Sequence, residues 1–145
     1  MTVYHFCCAK EMRGIRSQGI TKGQIVLAQY VWSGKKLPTQ MLVFAPGWQW
    51  VTLDGSKGGQ SWATTYTIRL DRTEYRWTVE IPEGEAEQLY DRERLKELYP
   101  ESDNLFRGWP GSENWRVFRG SIPKYWLKKL EHWNRELRRW DTVDI

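Results

Sequence analysis

The chain has 145 residues, a net charge of +4, 40% hydrophobic residues and 14% aromatic residues, material for one core of ordinary size and too little for two. No apolar run approaches the roughly 20 residues that cross a bilayer, and the start, MTVYHFCCAKE, lacks the basic-then-apolar layout of a secretory leader; the expectation is one cytoplasmic domain over residues 1–145. Cys7 and Cys8 are adjacent, about 3.8 Å apart at Cα, closer than a disulfide prefers. With only His5 and His132 besides, no zinc-type spacing exists and no metal is expected.

In chain order, TVYHFCC reads as a strand, rich in β-branched and aromatic residues. AKEMRGIRSQG follows as a short helix with Met12 and Ile15 on one face and Gly19 where a C-terminal glycine stop belongs. QIVLAQYVW and MLVFA read as strands joined by SGKKLPTQ, and GWQWVTLDGS as a strand ending in a turn at Asp54 and Gly55. TYTIRLD and TEYRWTVEIP read as paired strands, the second alternating Tyr75, Trp77, Val79 and Ile81 with polar residues. EGEAEQLYDRERLKELYP predicts an acidic helix over 85–99, with Asp91 as a cap and a stop at Pro100. SDNLFRGWPGSE is loop-like and leads into the strand NWRVFRG. SIPKYWLKKLEHWNRELRRW predicts a C-terminal amphipathic helix, because Trp126, Leu130, Trp133, Leu137 and Trp140 recur at spacings of 4, 3, 4 and 3. The fold class expected from this order is α+β, a mixed or antiparallel β core with a few peripheral helices.

Charge is segregated along the chain. Residues 1–80 carry ten Lys/Arg against five Asp/Glu, residues 81–115 four against nine, and residues 116–145 eight against four. Such an imbalance commonly only keeps a protein soluble, and its functional alternative is attraction to phosphates. Most of the ten tryptophans fall in strand or helix patterns that core packing explains. Trp48, Trp50, Trp62 and Trp109 sit beside Gly, Gln, Ser or Pro, where two readings stay open: core packing, or an aromatic face that stacks on a base or a nicotinamide.

Three segments combine into a candidate site: YHF with His5, WVTLDG with Thr52, and GSENWRVFRGSIPKYWL with Glu113. A carboxylate at the mouth of a strand, with a histidine and a hydroxyl on other strands, suits a ribose, since the acid bonds a sugar hydroxyl and stabilises positive charge at the anomeric carbon. On their own, a strand histidine is more often a satisfied core residue and a strand threonine is ordinary.

In this order of motifs the chain resembles the ADP-ribosyltransferase-like superfamily, in particular members with His in the first motif and Glu in the last. The resemblance touches most of the chain, through short motifs. It implies a curved, split β core and NAD as co-substrate. His5 would bind the ribose, Thr52 would line the nicotinamide pocket, and Glu113 would be catalytic, orienting the nicotinamide ribose as its glycosidic bond breaks. Trp62 and Tyr66 are the nearest aromatics to the pair of tyrosines the family uses around nicotinamide, and Arg72 is the candidate for the NAD pyrophosphate, whose oxygens suit a guanidinium. Gly111 stands two residues before Glu113, where members that modify proteins carry Glu or Gln, a departure from arginine-directed chemistry. The chain also resembles uncharacterised small proteins of phages and prophages. That implies action on a host macromolecule, a protein or nucleic-acid acceptor, or on a host defence protein. The alternative is a non-catalytic nucleotide- or nucleic-acid-binding or inhibitor protein on the same scaffold.

Overall fold

Residues 1–31, 39–57 and 72–145 are described by the computed structural model. The expected first strand forms as β1 (Thr2–Cys7), and the chain turns at Cys8 into α1 (Ala9–Gln18), which buries Ile15. Gly19 ends the helix as its position predicts. Its φ of 83° lets its amide reach the Ile15 carbonyl at 2.8 Å, and a Cβ there would stand 2.2 Å from the Ile122 carbonyl oxygen. Only glycine tolerates both constraints.

The next two expected strands, β2 (Gln24–Val31) and β3 (Thr39–Pro46), pair with each other as an antiparallel ribbon. The remaining strands are β4 (Trp48–Thr52), β5 (Tyr75–Glu80), β6 (Leu89–Tyr90), β7 (Trp115–Arg119), β8 (Leu127–Asn134) and β9 (Arg139–Val143). They form a seven-stranded sheet in the order β6-β7-β4-β1-β5-β8-β9, with every pairing antiparallel among the described residues. The α+β class therefore holds. The expected strand TYTIRLD lies outside the described residues, as do Trp62, Tyr66 and Arg69.

Strand alternation gives the sheet two buried faces. On one, Val3, Cys7, Val51, Trp77, Val79 and Leu130 pack with Ile15, Ile20 and Ile122. On the other, Trp48, Trp115 and Val117 pack with Ile25 and Leu27 of the ribbon, with Phe106, and with Leu95 of α2 (Arg92–Leu98). The second cluster accounts for three of the tryptophans open to stacking. Trp48 is 3% exposed and meets Tyr90 edge-on at 5.0 Å, Trp50 lies against Phe106 at 5.5 Å, and Trp109 packs on the same cluster.

Two expected helices are corrected. The acidic helix over 85–99 is instead a 3-10 segment (Glu83–Gln88), the two-residue β6, and α2. Asp91 does cap α2, accepting a hydrogen bond from the Arg94 amide at 2.9 Å. Leu89 turns into the sheet to pair with Phe118, and that burial outweighs the helix propensity of the glutamates around it. The C-terminal amphipathic helix is replaced by a one-turn 3-10 segment (Lys124–Trp126) and the β8–β9 hairpin. The free backbone edge of β5 takes β8 as its partner, satisfying a row of donors and acceptors that a helix would leave open. The seven-residue gap from Trp133 to Trp140, helical in pattern, is equally the spacing of a cross-strand pair. The two indoles are register partners 5.2 Å apart, and Asn134 Oδ1 accepts from the Leu137 amide at 3.0 Å in the connecting turn.

Candidate functional site

β1 lies at the centre of the sheet and its two sides differ. Six residue pairs join it to β5, but only Tyr4 and Thr52 pair it with β4. Beyond that pair the two strands part, and His5 occupies the seam. Its Nδ1 lies 2.7 Å from the Trp50 carbonyl oxygen. A carbonyl only accepts, so Nδ1 carries the proton and Nε2 keeps its lone pair. Burial pushes the imidazole below its usual pKa, opposed by the Trp50 hydrogen bond and, more weakly, by the Glu11 charge. The ring is therefore neutral at pH 7. Among the described residues no hydrogen bond reaches Nε2, which leaves a fixed acceptor suited to a ligand hydroxyl.

One residue before Trp50, Gln49 is fully buried. Its Oε1 accepts from the Gly23 amide at 2.7 Å, which fixes the amide orientation, and its Nε2 has no partner. An unsatisfied buried donor costs about 1–3 kcal/mol. The seam is thus flanked by an unengaged acceptor on β1, while β4 carries an unengaged donor nearby in sequence.

The other expected site residues are dispersed. Thr52 is buried on β4 and its hydroxyl is already engaged, accepting from the Asp54 amide at 3.1 Å and donating to the Asn114 carbonyl at 3.4 Å. It builds the turn rather than lining an open pocket. Glu113 is exposed in a 3-10 turn (Ser112–Asn114) just before β7. It lines a surface groove of about 370 Å³ with Asp91, Arg92, Glu93, Ser112 and Arg116. Neither His5 nor Thr52 lines that groove, so the structure does not gather the three residues into one pocket. The groove's cations are engaged: Arg92 holds Asp103 with contacts of 2.6 and 3.0 Å, and Arg116 donates to the carbonyls of Glu113 and Trp115. Arg72 stands 4.0 Å from Glu11 on the surface.

A polar constellation of the sheet was not legible in the sequence as a unit. Arg76 of β5 donates to Glu131 of β8 at 2.6 and 3.1 Å and to the Gly55 carbonyl, and its guanidinium lies 4.4 Å from the Trp140 ring and 5.4 Å from Tyr4. The two side chains are 15% and 7% exposed. The alternation of TEYRWTVE placed Arg76 opposite Trp77, but the partner 55 residues away depended on β8 being a strand. Nearby, His132 Nε2 meets Glu74 at 3.0 Å and its ring contacts Tyr75 at 4.7 Å, tilted by 47°. Cys7 is fully buried, and burial raises its thiol pKa well above the ordinary value, which suits packing and not nucleophilic attack. Among the described residues no His/Cys/Asp/Glu group has the arrangement of a metal site, and no helix is long and apolar enough to cross a membrane.

No protein-family model, curated protein or solved structure matches the chain.

Proposed function

We propose that the chain binds NAD at the β1–β4 seam and acts as an ADP-ribosyltransferase-like protein on a macromolecular acceptor. The observation that carries this reading is the His5 imidazole, neutral and held in one tautomer by Trp50, with Nε2 left as an unengaged acceptor that would take a ribose hydroxyl. A sheet joined across its middle by a single residue pair is consistent with the split core of that superfamily. In the reaction, the bond between nicotinamide and ribose C1′ breaks, nicotinamide leaves with the bonding electrons, and an acceptor nucleophile attacks C1′ and loses its proton. A carboxylate beside the ribose lowers the barrier by offsetting the charge at C1′. Glu113 is assigned that role by its place before β7. β7 adjoins β4 and β4 adjoins β1; the register sets His5 level with Arg116, three residues past Glu113, so the two backbones are about 10 Å apart across the sheet and about 10 Å apart along it.

Calorimetric titration with NAD, coupled to an assay of released nicotinamide, tests the proposal. His5→Ala should weaken binding about tenfold or more, the loss of one buried hydrogen bond. Glu113→Gln should bind normally and release nicotinamide at least 100-fold more slowly. Absence of NAD binding by the wild-type chain at millimolar concentration would sink the reading. The position of Glu113 in a separate groove favours a second reading, nucleotide binding without turnover. Wild-type binding with no nicotinamide release over any acceptor decides for it.

A further inference from the structure

Several cations are matched to carboxylates: Arg76 and Lys129 to Glu131, Arg92 and Arg107 to Asp103, Arg139 to Asp141. A cluster of five built from α1 and the turn before β8 is not. Lys10, Arg13 and Arg16 project from α1, one turn apart, and Lys124 and Lys128 flank the 3-10 turn that packs beside that helix. All five are exposed, and none has a carboxylate partner among the described residues. Arg16 donates only to the Asp144 backbone carbonyl, at 2.6 Å, and Lys128 only to the Tyr125 carbonyl, at 3.1 Å. Arg16 and Lys124 rim a pocket of about 240 Å³ floored by Trp77, Leu127 and Ile145. Between Lys124 and Lys128 stands Tyr125, 72% exposed, the most exposed large hydrophobic side chain among the described residues.

From this arrangement we infer that the α1 and Lys124–Lys128 surface binds single-stranded nucleic acid, with the five cations on successive phosphates and the Tyr125 ring stacked on an unpaired base. A cation with no carboxylate partner is free to neutralise a phosphate and so release a cation condensed on the polyphosphate. An exposed ring among them supplies a sequence-tolerant platform that a duplex, whose base faces are hidden, cannot use. The surface excludes His5 and the seam, and it stands or falls apart from the NAD reading.

Fluorescence anisotropy with labelled single-stranded RNA and DNA 12-mers, from 50 to 200 mM salt, tests the inference on the full chain. Five phosphate contacts predict a slope of log K against log salt of about −3.5, and Lys124→Ala with Lys128→Ala should shallow it by about 1.4. Tyr125→Ala should weaken binding about 5- to 150-fold while Tyr125→Phe keeps it; the exposure of the ring leaves the fold intact, checked by circular dichroism. No binding to either oligonucleotide overturns the proposal. So does unchanged affinity in Tyr125→Ala, or heparin or an acidic peptide binding as tightly with the same dependence on Tyr125.

Discussion

At the scale of single residues, His5 is the side chain whose chemistry the fold changes most. Its folded pKa lies below the ordinary histidine value of 6.5 because burial disfavours the imidazolium. The unfolded chain therefore binds this proton more readily, and stability falls as pH drops below about 6.5, with no contribution above it. Denaturant melts at pH 7.5 and pH 5.0 should show the wild type losing stability and His5→Gln losing less. Equal losses in the two proteins would mean that His5 stays solvated. Asp103 behaves in the opposite sense. The Arg92 guanidinium beside it holds its carboxyl at about 2, below the usual 3.8, so its stabilising effect is present above pH 3.8 and disappears as pH falls through 2. His5 was visible in the sequence as a polar residue in an apolar strand. That Trp50 would fix its tautomer was not, because the acceptor is a backbone carbonyl that any residue at position 50 would supply. Thr52 was visible too, yet its hydroxyl is used up locally by Asp54 and Asn114, contacts that depend on the turn geometry.

Among elements, the pairing of β5 with β8 concentrates the most polar burial. Arg76 and Glu131 are register partners, nearly buried, and Lys129 approaches the second Glu131 oxygen at 3.5 Å. Removing Arg76 leaves the buried Glu131 carboxylate with Lys129 alone, a loss of up to about 3–5 kcal/mol, whereas replacing both Arg76 and Glu131 with apolar residues of similar volume is often neutral. Arg76→Met should therefore lower the unfolding free energy by about 3 kcal/mol in urea titrations, and Arg76→Met with Glu131→Leu should recover most of it. A double variant as unstable as the single one would show that the packing of Arg76 between Tyr4 and Trp140, not its charge pairing, supplies the stability. The same strands show where pattern reading fails. The C-terminal tryptophans fit a helical stripe and a hairpin equally well, and the choice was made by an unpaired edge of β5 that the segment itself does not encode.

Among the described residues the molecule is a seven-stranded sheet with a separate β2–β3 ribbon and two cores, one on each face; the halves β6-β7-β4 and β1-β5-β8-β9 are joined by the Tyr4–Thr52 pair, the His5–Trp50 hydrogen bond and the first core, which draws Val51 and Phe118 from one half and Val3 and Trp77 from the other. Leu130 belongs to one core and Leu95 to the other, both fully buried. If the sheet couples them, Leu130→Ala and Leu95→Ala should each lower one common unfolding transition by about 2–5 kcal/mol, with tryptophan fluorescence and far-ultraviolet circular dichroism giving coincident midpoints. Two resolved midpoints would place a break at the seam and defeat the single-domain reading. What the sequence by itself determined is local: the first strand, α1 with its Gly19 stop, the β2–β3 ribbon, the alternation of β5, the Asp91 cap and the segregation of charge, each specified by neighbours a few residues apart. The tertiary structure alone decided the β8–β9 hairpin, the Arg76–Glu131 pair, the separation of Glu113 from His5 and the assembly of cations around Tyr125. Those depend on which backbone edge is left open and which side chains meet across it, and residues far apart in the chain settle that only when the sheet closes.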